Sequence, residues 1–290
     1  MRIAPAVLVF SLFGLSPILR GETLGAVLSA NKLSPNLIPE NDRQQPITSF
    51  AVSTENSRFL LAYYDDDGSG GLPPVLHVLR YDRQTEDLRR TDLNGIEIPI
   101  QIVHEVMTQV SSNCMGSALN ISEKAGLIII HTHINPSAGC ALILTSDLGF
   151  IAGLGGGVLA TIDGNIIFVE NTIHFAPTHP ARVSAYNLQQ KKLTPIYPME
   201  NDSARKQFSS ELQNHLPSSN DCREQNNPCD PESFSTDIEH VTVNENERSF
   251  AFDAQMTPEG FAEDAERSIK SRTVHYTCTL KDGGWILASQ

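Results

Sequence analysis

A recurrence of strand, tight polar turn and strand constrains this chain more than any other feature of its sequence. Three stretches share the shape: "LHVLRYDRQTEDLRRTDL" at 76–93, "RVSAYNLQQKKLTPIYP" at 182–198 and "TVHYTCTLKDGGWILAS" at 273–289. A weaker fourth is "CALILTSDLGFIAGL" at 140–154. Each follows another strand pair with its own short turn, at 50–64, 116–133, 157–171 and 238–255. β-Branched and aromatic runs broken by Gly, Asn, Asp and Ser dominate, and helical periodicity is scarce, so the chain predicts an all-β fold of four units, each with four strands.

Units of about 40 to 50 residues with four antiparallel strands are the sequence signature of a β-propeller. Over roughly 47–289 the pattern resembles the degenerate blades of WD40-like and TolB-like propellers in exported bacterial proteins. The resemblance is one of repeat shape: the Trp-Asp dipeptide of WD40 repeats is absent, and the one Trp, Trp285, falls in the last strand. It implies a propeller of four blades, with room for a fifth, and no particular activity. A β-sandwich built from the same hairpins is the competing architecture.

Residues 22–46 form an N-terminal segment that either closes the ring with a strand or acts as a linker, and 47–290 form the propeller domain. The stretch 98–110 reads equally as helix or strand. Two helical insertions are expected. In 201–216, part of an insertion near 201–233, Asp202 and Ser203 are capping candidates and Phe208, Leu212 and Leu216 fall at helical spacing. In 258–272 an acidic-to-basic charge order suits the helix dipole.

Residues 1–21 have the three parts of a signal peptide: Arg2, an apolar run from Ala6 to Leu19, and a polar end with cleavage expected after Gly21. The run is shorter than the roughly 20 residues of a membrane span, so a periplasmic or secreted chain without a span is expected. Its removal leaves 19 Lys and Arg against 34 Asp and Glu, a surface that repels nucleic-acid phosphates. Five cysteines suit an oxidising compartment. Cys222 and Cys229 bracket a short polar loop and would staple it, Cys114 and Cys140 could bridge one repeat, and Cys278 is left as a buried thiol.

If the strands of each unit are lettered a to d, antiparallel alternation puts the a-to-b and c-to-d turns on one rim and the b-to-c and d-to-a connections on the other. The former are short. The b-to-c connections, "DDDGSGGLPPV", "HTHINPSAG", "NTIHFAPTHPA" and "AQMTPEGFAEDAERSIKS", are long or rich in functional groups, which makes their rim the expected binding face.

The binding-face candidates are Asp65, Asp66, Asp67, His131, His133, Asn135, His174 and His179. Asp65, Asp67 and Ser69 alternate as in a calcium loop, but Leu76 stands where an EF-hand has Glu. His131 and His133 project to one strand face about 7 Å apart at Cα and could share a metal, although Ile129 on the same face argues for burial. His174 and His179 are up to about 16 Å apart when extended, on a path stiffened by Pro177 and Pro180.

"GLGGG" at 153–157 reads as a d-to-a turn, because no helix start or Gly-Lys-Ser/Thr follows it. With no evident nucleophile and base pair, the leading expectation is a noncatalytic exported propeller that binds a protein or glycan at this rim. The alternatives are a metal-dependent hydrolase or lyase, using a divalent ion held by some of these histidines with Asp66 or Asp253, and a structural envelope component. No cofactor is specified beyond that metal.

Overall fold

A computed structural model describes residues 22–55, 57–66, 75–94, 97–100, 110–113, 117–135, 138–170, 181–199, 201–213, 234–258 and 270–289. The expected four units are all present as antiparallel sheets of consecutive strands. The first sheet contains β1 (Glu22–Thr23), β2 (Pro46–Ser53), β3 (Arg58–Asp65), β4 (Val75–Asp82) and β5 (Asp87–Asn94). A two-stranded hairpin follows, β6 (Glu97–Ile100) with β7 (Val110–Asn113), which resolves the ambiguous stretch into strands at both ends.

The second sheet holds β8 (Ser117–Lys124), β9 (Leu127–Asn135), β10 (Ala138–Thr145) and β11 (Phe150–Gly155). The third holds β12 (Gly157–Ile162), β13 (Asn165–Glu170), β14 (Arg182–Asn187) and β15 (Lys192–Tyr197). The fourth holds β16 (Phe234–Asn244), β17 (Ser249–Pro258), β18 (Arg272–Lys281) and β19 (Gly284–Ser289).

Turn chemistry sets these registers. Three hairpins close through two residues that both have positive φ: Ala125 and Gly126, Asp163 and Gly164, and Asp282 and Gly283. That is the signature of a type I′ turn, whose twist matches the strands it joins. Gly156, at φ 122°, carries the chain from the second sheet into the third, so "GLGGG" is the d-to-a crossing that the sequence suggests.

The sheets are covered face to face in chain order. Leu60, Ala62, Leu76 and Val78 of the first sheet share a core with Ile121, Ile128, Ile130, Leu142 and Leu144 of the second. The opposite face of the second sheet, with Ile129, Ala141, Ile143 and Leu154, meets Ile166 and Phe168 of the third. Ile167, Val183, Ala185 and Tyr197 of the third then share the largest core with Phe250, Phe252, Met256 and Tyr276 of the fourth. Sheets buried on both faces need continuous apolar runs, and "LIIIH" in β9 and "NIIFV" in β13 supply them. This layout fits a propeller-like arrangement of blades. Among the described residues, however, no apolar cluster joins the fourth sheet to the first, so a closed ring is not seen.

The N-terminal segment is mostly helical and belongs to the first sheet. Glu22 and Thr23 form its one strand, which pairs with β2 of the same sheet. The rest forms α1 (Leu24–Ala30), a 3-10 turn at Pro35–Leu37 and α2 (Glu40–Arg43). Thr23 caps α1 by accepting from the Ala26 backbone N–H at 3.2 Å. Leu24, Val27 and Leu28, at helical spacing, bury against Phe59, Leu61, Tyr63 and Leu79 on the outer face of the first sheet. The physical reason is exposure: those four side chains would otherwise face water.

The expected first insertion helix is α3 (Ser203–Gln213). Asp202 caps it, accepting from the N–H groups of Ala204 and Arg205, while Phe208 and Leu212 enter the core between the third and fourth sheets. The second expected insertion falls mostly outside the described residues. Its two ends, Pro258 and Arg272, belong to β17 and β18.

Candidate functional site

The alternation of strands within each sheet puts the b-to-c connections at one end, as the sequence reading requires. At that end of the first sheet, one imidazole and two carboxyl side chains come together on neighbouring strands. Asp65 closes β3, His77 lies three residues into β4, and Asp92 lies three from the end of β5. His77 Nε2 is 3.0 Å from Asp65 Oδ2, and His77 Nδ1 is 2.7 Å from Asp92 Oδ1. Both ring nitrogens of His77 thus lie within hydrogen-bond distance of a carboxylate oxygen, one on each neighbouring strand. Asp65 Oδ1 is sheltered from solvent and has no hydrogen-bond partner.

The ring is held from beneath as well. Tyr63 stacks on His77 with centroids 5.0 Å apart. The Tyr63 hydroxyl accepts from Arg90 Nη2 at 3.2 Å, and Arg90 Nη1 reaches Asp42 Oδ2 of α2 at 2.5 Å. Burial raises the Tyr63 pKa, with Arg90 opposing it. Hydrogen bonds thus link Asp42 of α2 through Arg90 to Tyr63, and the Tyr63 ring stack continues the contact to His77.

Of the residues singled out from sequence, Asp65 is in this cluster and Asp66 follows it, its backbone N–H donating to the Pro46 carbonyl at 2.9 Å. His131 lies in the middle of β9, opposite Ala141 and Asn120, half-buried on the face toward the third sheet. Burial lowers its pKa, so at neutral pH it is an uncharged ring. His133 and Asn135 are also strand residues of β9, and their side chains lie outside the described residues. β9 continues to Asn135 and β10 begins at Ala138, so most of the "HTHINPSAG" stretch is strand. Asp67, His174, His179, Cys114, Cys222 and Cys229 lie outside the described residues. Cys140 is buried with Sγ 2.8 Å from Thr132 Oγ1 and is not a free thiol, whereas Cys278 is free and buried.

A second His and Asp constellation crosses the outward face of the fourth sheet. Asp253 of β17 has Oδ1 2.7 Å from His275 Nδ1 of β18 and Oδ2 3.0 Å from His240 Nδ1 of β16. The hydrogen bond from His275, reinforced by His240, holds the Asp253 carboxyl below the usual range. His240 reaches it from a bulge between Glu239 and Thr242, with φ at 49°. Among the described residues no three His, Cys, Asp or Glu side chains are grouped to hold a metal ion.

No family model matches the chain, and no curated protein matches it. Solved structures give distant likenesses. A GH43 β-1,3-galactosidase aligns with TM-score 0.29 and 8% identity over 86% of this chain and 47% of its own. The tricorn protease gives 0.30 and 9% over 84% of this chain and 25% of its own. The N-terminal domain of Nup159 gives 0.28 and 9% over 83% of this chain and 60% of its own. The chain thus spans less than two thirds of each, and TM-scores this low carry no argument about fold or activity. No helix among the described residues is long and apolar enough to cross a membrane.

Proposed function

We propose that this chain is an exported, noncatalytic propeller-type protein that binds a protein or glycan through the rim formed by its b-to-c connections. The observation that carries the reading is the Asp65, His77 and Asp92 cluster at that end of the first sheet, braced by Tyr63 and Arg90. A rim of fixed carboxylates offers acceptors to sugar hydroxyls and to Lys or Arg side chains. The overall charge of −13 favours a neutral or basic ligand over an acidic one. Burial of Cys140 and the cysteine count support export to an oxidising compartment, with Cys114 as the proposed partner of Cys140 and Cys222 paired with Cys229.

The test is binding of the purified chain to a glycan array and to a panel of basic proteins, repeated with Asp65→Asn, with His77→Gln and with His131, His133, His174 and His179 all changed to Ala. Loss of a wild-type signal at an unchanged melting temperature supports the rim. No binding by the wild type, or binding indifferent to all these changes, sinks the reading.

A further inference from the structure

At the N-terminus of α3, in the seam between the third and fourth sheets, several buried polar groups gather. Asp202 is satisfied there: Oδ1 accepts the Ala204 and Arg205 N–H groups, and Oδ2 accepts the Tyr276 hydroxyl at 2.7 Å. Arg205 is not. It is 9% exposed, forms no ion pair within 4.0 Å among the described residues, and leaves Nη1 buried with no hydrogen-bond partner. The guanidinium instead lies 5.2 Å from the Phe234 ring centroid and 5.8 Å from that of Tyr197.

Two further buried groups nearby are also without partners, the Tyr197 hydroxyl and Thr236 Oγ1. Tyr197 is 1% exposed and Thr236 is 2% exposed. Arg205 and Thr236 both stand close enough to the Tyr197 hydroxyl to oppose the rise that burial causes in its pKa. Arg205 and Thr236 therefore both approach the Tyr197 hydroxyl, yet Arg205 Nη1, Thr236 Oγ1 and the hydroxyl itself make no hydrogen bond of ordinary length and angle. Orphaned buried donors at this density are rare and point to a missing guest.

The chemistry of the three specifies that guest. Arg205 Nη1 can only donate, and the tyrosine and threonine hydroxyls can each donate, so the guest is an acceptor that takes up to three hydrogens. The local charge is positive: Asp202 offsets the guanidinium, and the α3 N-terminus adds roughly half a charge. Position 205 is in the first turn, where a cation opposes that dipole unless an anion lies close.

We infer that Arg205, Tyr197 and Thr236 bind a single small monovalent anion, a halide such as chloride, which joins the third sheet, α3 and the fourth sheet. This site is separate from the rim, and its fate does not depend on the rim's. A neutral water would satisfy the hydroxyls but leave the buried guanidinium without a counter-charge.

The test uses the whole chain, melted in potassium chloride, potassium bromide and potassium gluconate at equal ionic strength. Chloride and bromide are expected to raise the melting temperature above gluconate by about 3 °C at an anion concentration near ten times the dissociation constant. Thr236→Val, which keeps the shape, and Arg205→Lys, which keeps the charge, should both shrink that difference. Bromide-soaked crystals should show an anomalous peak between Arg205 Nη1, the Tyr197 hydroxyl and Thr236 Oγ1. Equal melting in all three salts, or a water with no anomalous signal at that position, overturns the inference.

Discussion

Tyr276 of β18 donates its phenolic hydrogen to Asp202 at the head of α3, and both residues are buried in the seam between the third and fourth sheets. Burial, followed by the acceptor carboxylate, raises the Tyr276 pKa, so the phenol remains a donor across the physiological range. Tyr276→Phe keeps the ring contacts with Tyr197 and Phe252 but leaves Asp202 Oδ2 without this donor. Urea unfolding should show a loss of about 1–3 kcal/mol. A loss below about 0.5 kcal/mol would mean that water replaces the hydroxyl.

Gly25 is the second residue of α1, where alanine is ordinarily the better helix former. Here an added Cβ would lie 2.9 Å from the Arg43 carbonyl oxygen and 3.2 Å from the Arg43 Cβ. Gly25→Ala should therefore lower the melting temperature, because α2 must retreat from α1. Thermal melts decide the sign directly, and a higher melting temperature would show that α2 yields at little cost.

The strand pairs were legible because turn and period agree. In "LHVLRYDRQTEDLRRTDL" the polar turn pairs Asp82 with Asp87, and counting outward from it brings His77 opposite Asp92. That half of the rim cluster could have been found from the hairpin alone. Asp65 could not be assigned to it without knowing that β3 pairs with β4 in a register that sets Tyr63 beside His77. The N-terminal helices were hidden for a different reason: α1 is a single short amphipathic stretch, and only the exposed outer face of the first sheet makes it worth burying. The orphaned donors around Arg205 come from three separate elements, and no local pattern connects them.

Cys278 is fully buried in β18, and desolvation pushes its thiol up to about 12. A thiol that is neither exposed nor ionised does not attack a disulfide reagent. In native buffer near pH 8, Cys278 should remain unlabelled by Ellman's reagent over hours and react at once in guanidinium. Rapid native labelling at this residue, located by peptide mass, would show that β18 opens readily.

Asp253 gives the acid limb of stability a defined direction. Its folded-state carboxyl is held below the ordinary value near 3.8 by His275 and His240, so its contribution is complete above that pH. The contribution is lost as pH falls further, through the lowered folded value. Asp253→Asn should flatten the decline in melting temperature below pH about 3.8. Identical acid limbs for the two proteins would show that the pair with His275 does not persist in solution.

The two ends of the sheet series are finished differently. The first sheet has its outer apolar face sealed by α1, while the fourth turns Asp253, His275, Thr273 and Thr277 outward along half-buried or exposed positions. Among the described residues no apolar cluster joins first and last, so there each layer draws its cohesion from the layers beside it, as in a linear repeat array. Hydrogen exchange should then enter at the β16 and β19 edges and reach last the second and third sheets, each of which has both faces apolar and covered.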